Sequence, residues 1–185
     1  MGHELQAGKK RPIGDVFAFL SGLYFRGKRD YAQRFARASS EGIGAWVITS
    51  NQGLLALDAK IGLEDLRAFS ETPIVSGESR YENPLRRDLA RLIAEDRADT
   101  EYVLLGSVST DKYAAALLEI LGERLLFPID FVGRGDMSRG GLMLRQCRLG
   151  VELEYALLAG ATRKGKRPPK LKAAVKQRSG NGSFP

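Results

Sequence analysis

The sequence predicts an α/β protein: a three-layer, Rossmann-like domain in which helices flank a mostly parallel sheet of about 4–5 strands. Short apolar runs rich in strand-forming residues alternate along the chain with longer segments of helical periodicity. Most connections between these segments are short. Continuous apolar runs are typical of strands covered by helices on both faces, and this alternation is the usual pattern of a parallel sheet.

Helices are indicated where apolar side chains recur at intervals of three or four residues. The first such stripe runs through Tyr24, Tyr31 and Phe35, with arginines and lysines on the other faces of the helix. Pro84 is placed in the first turn of a later helix, where its missing N–H is harmless. The predicted helices cover residues 24–39, 63–70, 84–97, 111–121 and 137–149.

Strands are indicated by short apolar runs bounded by glycine or small polar residues. The clearest run is Tyr102 to Leu105. Ligands bind outside the carboxyl ends of strands in such sheets, so the loops that follow strands are the places to look for a site. The predicted strands cover residues 45–49, 101–108, 124–129 and 151–158.

A length of 185 residues with 43% hydrophobic content suits one domain. We expect it at residues 21–162, between an irregular, basic N-terminus at 1–20 and a basic, flexible tail at 163–185. No run approaches the roughly 18 apolar residues of a membrane span, and the first residues lack the apolar core of a signal peptide. The sequence therefore predicts a soluble, cytoplasmic protein that does not bind a membrane.

The net charge of +7 belongs to the C-terminal segment. Residues 163–185 carry eight basic residues and no acidic ones, whereas residues 1–162 carry 21 basic and 22 acidic residues. One interpretation is salt-sensitive binding of DNA or RNA. The other is a solubilising terminus, because the segment also contains Pro168 and Pro169 and has little apolar content.

Cys147 is the only cysteine and His3 the only histidine. One chain therefore cannot assemble a disulfide framework, a zinc site, or a Ser-His or Cys-His couple. Any acid–base chemistry would fall to Asp, Glu, Lys or Tyr. Nothing in the sequence indicates a metal or a cofactor.

The most informative segment is residues 131–141, which combine four glycines and two arginines after an apolar run. Glycines allow close backbone approach to a ligand, and arginines offer planar forked donors to phosphate. Alternatively, Asp136 caps the following helix and the arginines pair with nearby carboxylates. Gly140 and Gly141 cost that helix about 1 kcal/mol each, which indicates tight packing or a ligand near the backbone. The candidate ligand-binding residues are Gly133, Arg134, Gly135, Ser138 and Arg139, and Asp136 is a candidate catalytic acid or base.

A second polar loop follows Val103 to Leu105 and leads into the helix predicted at 111–121. A glycine, hydroxyls and a lysine at a helix N-terminus can bind an anion. The spacing matches neither the Walker pattern nor the dinucleotide-binding pattern. Alternatively, a residue at 109–111 merely caps the helix. The candidate ligand-binding residues are Gly106, Ser107, Ser109, Thr110 and Lys112.

Two further loops are weaker candidates. Glu78 lies between small residues and is a candidate general acid or base, while Arg80 and Tyr81 could hold a phosphate and stack on a base or sugar. Exposed glutamates in turns are, however, far commoner than catalytic ones. Residues 50–53 could read a base edge through their amides or form a polar turn.

Several segments resemble an uncharacterised family of bacterial proteins of similar length. The similarity would extend over roughly residues 20–171, and it implies a single bacterial cytoplasmic domain without implying an activity. It rests on residues 105–107, 112–113, 124–128, 131–144 and 167–171.

Three functions remain open. The first is an enzyme acting on a nucleotide or nucleoside, for example at an N-glycosidic bond, in which Arg134, Arg139 and Lys112 hold phosphate and Glu78 or Asp136 supplies the acid or base. The second is a binding module for a nucleotide or nucleic acid, without chemistry. The third is an assembly protein, for example a homodimer, whose glycine and arginine loops form the interface.

Overall fold

The computed structural model describes residues 1–38, 42–108, 111–163, 165–166 and 168–169, with the backbone alone at 111 and 112. Helices are the main elements of this part of the chain, and its strands are short. The helices are α1 (Gly2–Gln6), α2 (Ile13–Ser21), α3 (Leu23–Phe35), α4 (Leu63–Glu71), α5 (Ser79–Glu95), α6 (Asp111–Leu121) and α7 (Asp136–Leu149). The strands are β1 (Arg11–Pro12), β2 (Trp46–Ile48), β3 (Leu54–Ala56), β4 (Lys60–Ile61), β5 (Tyr102–Val103), β6 (Leu125–Pro128) and β7 (Tyr155–Leu157). Short 3-10 helices, Gly122–Arg124 and Ile129–Phe131, flank β6.

Three small sheets stand where the sequence predicted one parallel sheet. Strands β1 and β4 pair antiparallel, β2 and β3 form an antiparallel pair, and the third sheet has the order β5-β6-β7. In that sheet β5 and β6 are parallel, whereas β6 and β7 are antiparallel. The Rossmann-like prediction is therefore wrong. Within the described residues, the one parallel pair is β5 and β6, which α6 connects.

Loop length explains why β2 and β3 are not parallel. Residues 49–53 are too few for the crossover that parallel neighbours need, so the chain makes a hairpin instead. Thr49 Oγ1 donates to the Gly53 carbonyl at 2.9 Å, and Gly53 adopts a φ of +68° that favours glycine. The turn thus sets the register in which Trp46 faces Ala56.

Helix packing explains why β7 is antiparallel to β6. Helix α7 packs against α3, and Gly27 and Gly140 lie at the contact. It therefore does not act as a crossover on the sheet face, as a parallel β-α-β unit requires. The chain returns beside β6, where the Ile129 N–H donates to the Glu154 carbonyl at 3.0 Å.

The first 20 residues are not irregular, contrary to the expectation. Ile13 and Val16 are fully buried on α2, and the Phe17 ring packs edge-on against Phe25 and Phe69 at 5.3 and 6.2 Å. The spacing of three and four residues on α2 is the helical signal that the interpretation overlooked. The other boundaries predicted for the domain and the tail stay predictions.

The described residues form three apolar core clusters. The largest packs α5 and α6 against the third sheet, the second joins α1 and α2 to β2 and β4, and the third lies between α3 and α7. The third cluster fixes α7 beside the loop that follows β5. In the part of the chain that the structure describes, no helix has the length and apolar character to cross a membrane. The buried members of the third cluster are Tyr31, Phe131, Leu142, Met143 and Leu153.

Candidate anion-binding site

One cleft of about 460 Å³ brings together the two loops that the sequence placed after strands. Ser107 reaches it from the loop after β5, and the remaining lining comes from the segment that starts α7. The two loops meet because β5 and β6 are parallel neighbours, so their carboxyl ends lie at the same edge of the sheet. We call this space the α7 cleft; it is lined by Ser107, Arg134, Gly135, Asp136, Met137, Ser138 and Arg139.

Helix α7 directs its amino end into this cleft. Its N-cap residue is Gly135, which has no side chain to bond the first-turn N–H groups, and Asp136 is the first helical residue. The alternative that Asp136 caps the helix is therefore wrong. A Cβ placed on Gly135 would meet no described atom within 4 Å, so the space beside this N-cap residue is open. Uncapped N–H groups and the positive end of the helix dipole favour an anion here.

Arg134 is held in place beside this helix end. Its side chain is only 10% exposed, because Nε donates to the Asp130 carbonyl at 2.8 Å and Nη1 donates to Ser138 Oγ at 3.4 Å. Nη2 lies 3.9 Å from the Asp130 carboxylate. The guanidinium therefore has a fixed orientation in the cleft wall, and this lowers the entropic cost of ligand binding.

Arg139 and Asp136 form the second charged pair of the cleft. Arg139 is 5% exposed, and its Nε and Nη2 both donate to the Phe131 carbonyl at 3.2 Å. Its Nη1 lies 3.6 Å from the carboxylate of Asp136, whose side chain is 64% exposed. Arg139 thus ties the glycine-rich loop to α7 and partly offsets the negative charge of Asp136. Arg139 was predicted to bind a ligand, whereas most of its donors contact the protein itself.

Helix α3 contributes a cation that the sequence analysis missed. Lys28 is half-buried, with Nζ 4.1 Å from the ring centre of Tyr24. The pKa of Lys28 is lowered to about 8, mainly by burial; the charge of Asp136 opposes this shift and that of Arg139 adds to it. Burial also raises the pKa of the Tyr24 phenol, whose hydroxyl donates to the Leu105 carbonyl at 3.3 Å. Tyr24 and Lys28 lie four residues apart, so they share one helix face, and that spacing was the signal available in the sequence.

Gly133 approaches the chain itself rather than a ligand. Its φ is +72°, and a Cβ there would overlap the carbonyl oxygen of Lys166. A Cβ on Gly165 would in turn lie 2.8 Å from Val132 Cγ1. The start of the basic C-terminal segment therefore crosses the glycine-rich loop. This contact brings the exposed Lys166 to the loop that forms the α7 cleft.

The loop after β5 is described only in part. Gly106 is half-buried against Leu104, and Ser107 lines the cleft. Ser109 and Thr110 lie outside the described residues, as does the side chain of Lys112. Their assignment to a ligand, and the alternative that they cap α6, both stay predictions.

The third candidate loop, which contains Glu78, Arg80 and Tyr81, has a structural role. Glu78 is the N-cap of α5, and its carboxylate accepts hydrogen bonds from the backbone N–H and the guanidinium of Arg80 at 2.9–3.1 Å. The Arg80 side chain and then its backbone N–H lower the pKa of Glu78 to about 2. Tyr81 is 1% exposed in the largest core cluster, so its ring is not available to stack on a ligand. This cap also starts α5 five residues before the predicted boundary, which puts Pro84 in its second turn.

The turn between β2 and β3 is likewise occupied. Ser50 Oγ donates to the Phe69 carbonyl at 2.8 Å, and Gln52 Nε2 donates to Asp65 Oδ1 at 3.0 Å. The Gly53 carbonyl accepts from Thr49. These bonds fit the polar turn better than a surface that reads a base edge.

Comparisons with known proteins found no match to a family model, a curated protein or a solved structure. The resemblance to a bacterial family therefore stays a prediction.

Proposed function

We propose that the protein binds a phosphate-bearing ligand, such as a nucleotide, in the α7 cleft, and that it acts as a binding module. The observation that carries the proposal is the convergence of the uncapped α7 N-terminus, the fixed guanidinium of Arg134 and the hydroxyl-bearing residues Ser107 and Ser138 on one space. Helix N–H groups, guanidinium forks and hydroxyls are the donors with which proteins hold phosphate.

Charge supports an anion in preference to a cation. Arg134, Arg139 and Lys28 lie in or beside the cleft, against the carboxylate of Asp136 and that of Asp130. Lys166 adds a further positive charge nearby, because its backbone contacts Gly133 and its side chain is exposed. The sum of these groups attracts a phosphate dianion over a distance of about one Debye length, roughly 8–10 Å.

A binding role fits the carboxylates better than catalysis does. Glu78 is not among the residues that line the cleft, and a carboxyl group with a pKa of about 2 is a poor proton donor near neutrality. The enzymatic alternative, cleavage at an N-glycosidic bond, rests on the exposed carboxylate of Asp136, which lines the cleft. An Asp136→Asn variant separates the two functions. If the parent hydrolyses a nucleoside and this variant does not, the protein is an enzyme.

The binding function is tested by calorimetric titration with orthophosphate, a nucleoside and its monophosphate. Amide hydrogen exchange, read in parallel, maps the site. A ligand on the α7 N-terminus should slow exchange at residues 136–138 and leave residues 79–82 unchanged, because Glu78 already caps that helix. Absence of binding heat with all three ligands, or slowed exchange that avoids α7, would overturn the proposal.

A further inference from the structure

A second polar groove lies at the other end of the α3–α7 pair. It has a volume of about 680 Å³ and is walled by the two helices. We call it the α3–α7 groove; its lining residues are Arg26, Asp30, Gln33, Arg34, Leu144, Cys147 and Arg148. It shares no lining residue with the α7 cleft and does not depend on the function proposed for that cleft.

The groove is cationic because its one acid is already paired. Asp30 Oδ1 accepts hydrogen bonds from Arg29 Nε and Nη2 at 2.9 and 2.8 Å. Within the described part of the chain, the three lining arginines form no ion pair. The three guanidinium groups are exposed, and none has a carboxylate partner among the described residues.

Two of these arginines stand at opposite ends of the groove wall on α3. Arg26 and Arg34 are eight residues apart, which is about 12 Å along a helix that rises 1.5 Å per residue. Arg34 lies across the C-terminus of α7, since a Cβ on Gly150 would come within 2.9 Å of its Nη2. The negative end of the α7 dipole holds a cation there favourably. Arg148, in the last turn of α7, provides the cation of the opposite wall.

We propose that the α3–α7 groove binds the phosphodiester backbone of single-stranded nucleic acid. Proteins that bind a single strand without reading its sequence use a cationic groove that runs along the nucleic-acid backbone. An arginine fork matches phosphate geometry in two hydrogen bonds. The same chain carries eight further basic residues, and no acidic ones, at 163–185, which is the composition of a polyanion-binding segment.

The test compares the full-length parent with a variant that lacks the three groove arginines, Arg26→Gln, Arg34→Gln and Arg148→Gln. Fluorescence anisotropy with a labelled oligouridine of about 20 nucleotides measures the affinity and its salt dependence. The variant should bind roughly 10- to 100-fold more weakly, and its log–log salt slope should be smaller by about 2, which is 0.7 for each lost phosphate contact.

The matched control removes the same charge elsewhere. Lys9, Lys60 and Arg67 are exposed and do not line the groove. The triple glutamine variant at those positions should change the affinity several-fold less, since it loses only long-range attraction. Equal losses in the two variants would show that charge alone matters and would overturn the proposal.

Cys147 supplies a readout that needs no mutation. It is the only cysteine of the chain, and it lines the groove. Saturating oligouridine should slow its modification by a thiol reagent in the parent protein. An unchanged rate would place the strand elsewhere, such as on the basic segment alone. The assignment would also be overturned if the protein bound polyglutamate, or a nucleic-acid duplex, as tightly as it binds the single strand.

Discussion

Gly27 of α3 and Gly140 of α7 touch backbone to backbone. A Cβ on Gly27 would lie 2.7 Å from the Gly140 carbonyl oxygen, and a Cβ on Gly140 would lie 2.8 Å from the Cα of Tyr24. Both distances are shorter than packing between carbon or oxygen atoms permits. This crossing sets the position of the α7 N-terminus relative to Tyr24 and Lys28, and it separates the α7 cleft from the α3–α7 groove.

The first prediction concerns this crossing. Gly27→Ala and Gly140→Ala should each lower the free energy of unfolding by about 1–3 kcal/mol, because backbone atoms must move to admit the methyl group. This net loss allows for the gain of about 1 kcal/mol that alanine brings to a helix interior. Urea unfolding measures it. Gly2→Ala is the control, since a Cβ there meets no atom within 4 Å. Unchanged stability of both helix-crossing variants would contradict the packing.

The second prediction uses the pKa of Lys28, which is about 8 against an ordinary value of 10.5. Below pH 8 the Lys28 ammonium is charged in both the folded and the unfolded protein, so the folded state bears the full free-energy cost of burying this charge. Between these two pKa values the folded protein loses the proton first, and stability rises with pH. Lys28→Met should therefore raise the melting temperature at neutral pH, by an amount that shrinks towards pH 10.5.

The control for Lys28→Met is Lys60→Met, which changes an exposed lysine on β4. Thermal melts in phosphate-free buffer at several pH values compare the two variants. A gain for Lys28→Met that is equal at all pH values would show that the added apolar surface, and not the buried charge, is responsible.

The third prediction concerns Glu78 as a cap. Glu78→Gln should lower the melting temperature modestly at neutral pH, because it removes the ion pair with Arg80. The folded pKa of about 2 lies below the ordinary value of 4.5, so this contribution is present above pH 4.5 and is lost as the pH falls towards 2. Parent and variant should converge in acid melts. Loss of ligand binding in Glu78→Gln would restore a functional role for this residue.

Helix positions were accessible from the sequence because helical periodicity is local. Helix α6 coincides with the predicted 111–121, and α7 begins one residue before the predicted 137. Strand direction was not accessible, since it depends on which distant segment each strand meets. No strand was predicted at Leu54–Ala56, so the hairpin that β3 forms with β2 across the short turn at 49–53 was missed.

In the candidate site, too, local features could be predicted from the sequence and contacts between distant segments could not. The glycine-rich loop and the loop after β5 share a cleft, and chain order was enough to suggest that. Lys28 was not predicted as a site residue, because it loses part of its contact with solvent only where α3 packs against α7. Gly140 was ambiguous between packing and ligand approach, and its contact with Gly27 decides for packing. Glu78 looked available for catalysis only while its neighbour Arg80 was considered separately.

The last prediction assigns ligand recognition to Arg134. Lysine at this position keeps the charge but cannot reproduce the bonds that orient the guanidinium against Asp130 and Ser138. Arg134→Lys should therefore weaken binding of a nucleoside monophosphate nearly as much as Arg134→Ala. The loss expected for a hydrogen-bonded charge, about 1.5–3 kcal/mol, corresponds to a roughly 10- to 100-fold higher Kd. Arg97→Lys, which alters an exposed arginine paired with Asp99, is the control and should leave the Kd unchanged. Calorimetry gives the Kd and thermal melts report on folding; an Arg134→Ala protein that binds as tightly as the parent would remove Arg134 from the site.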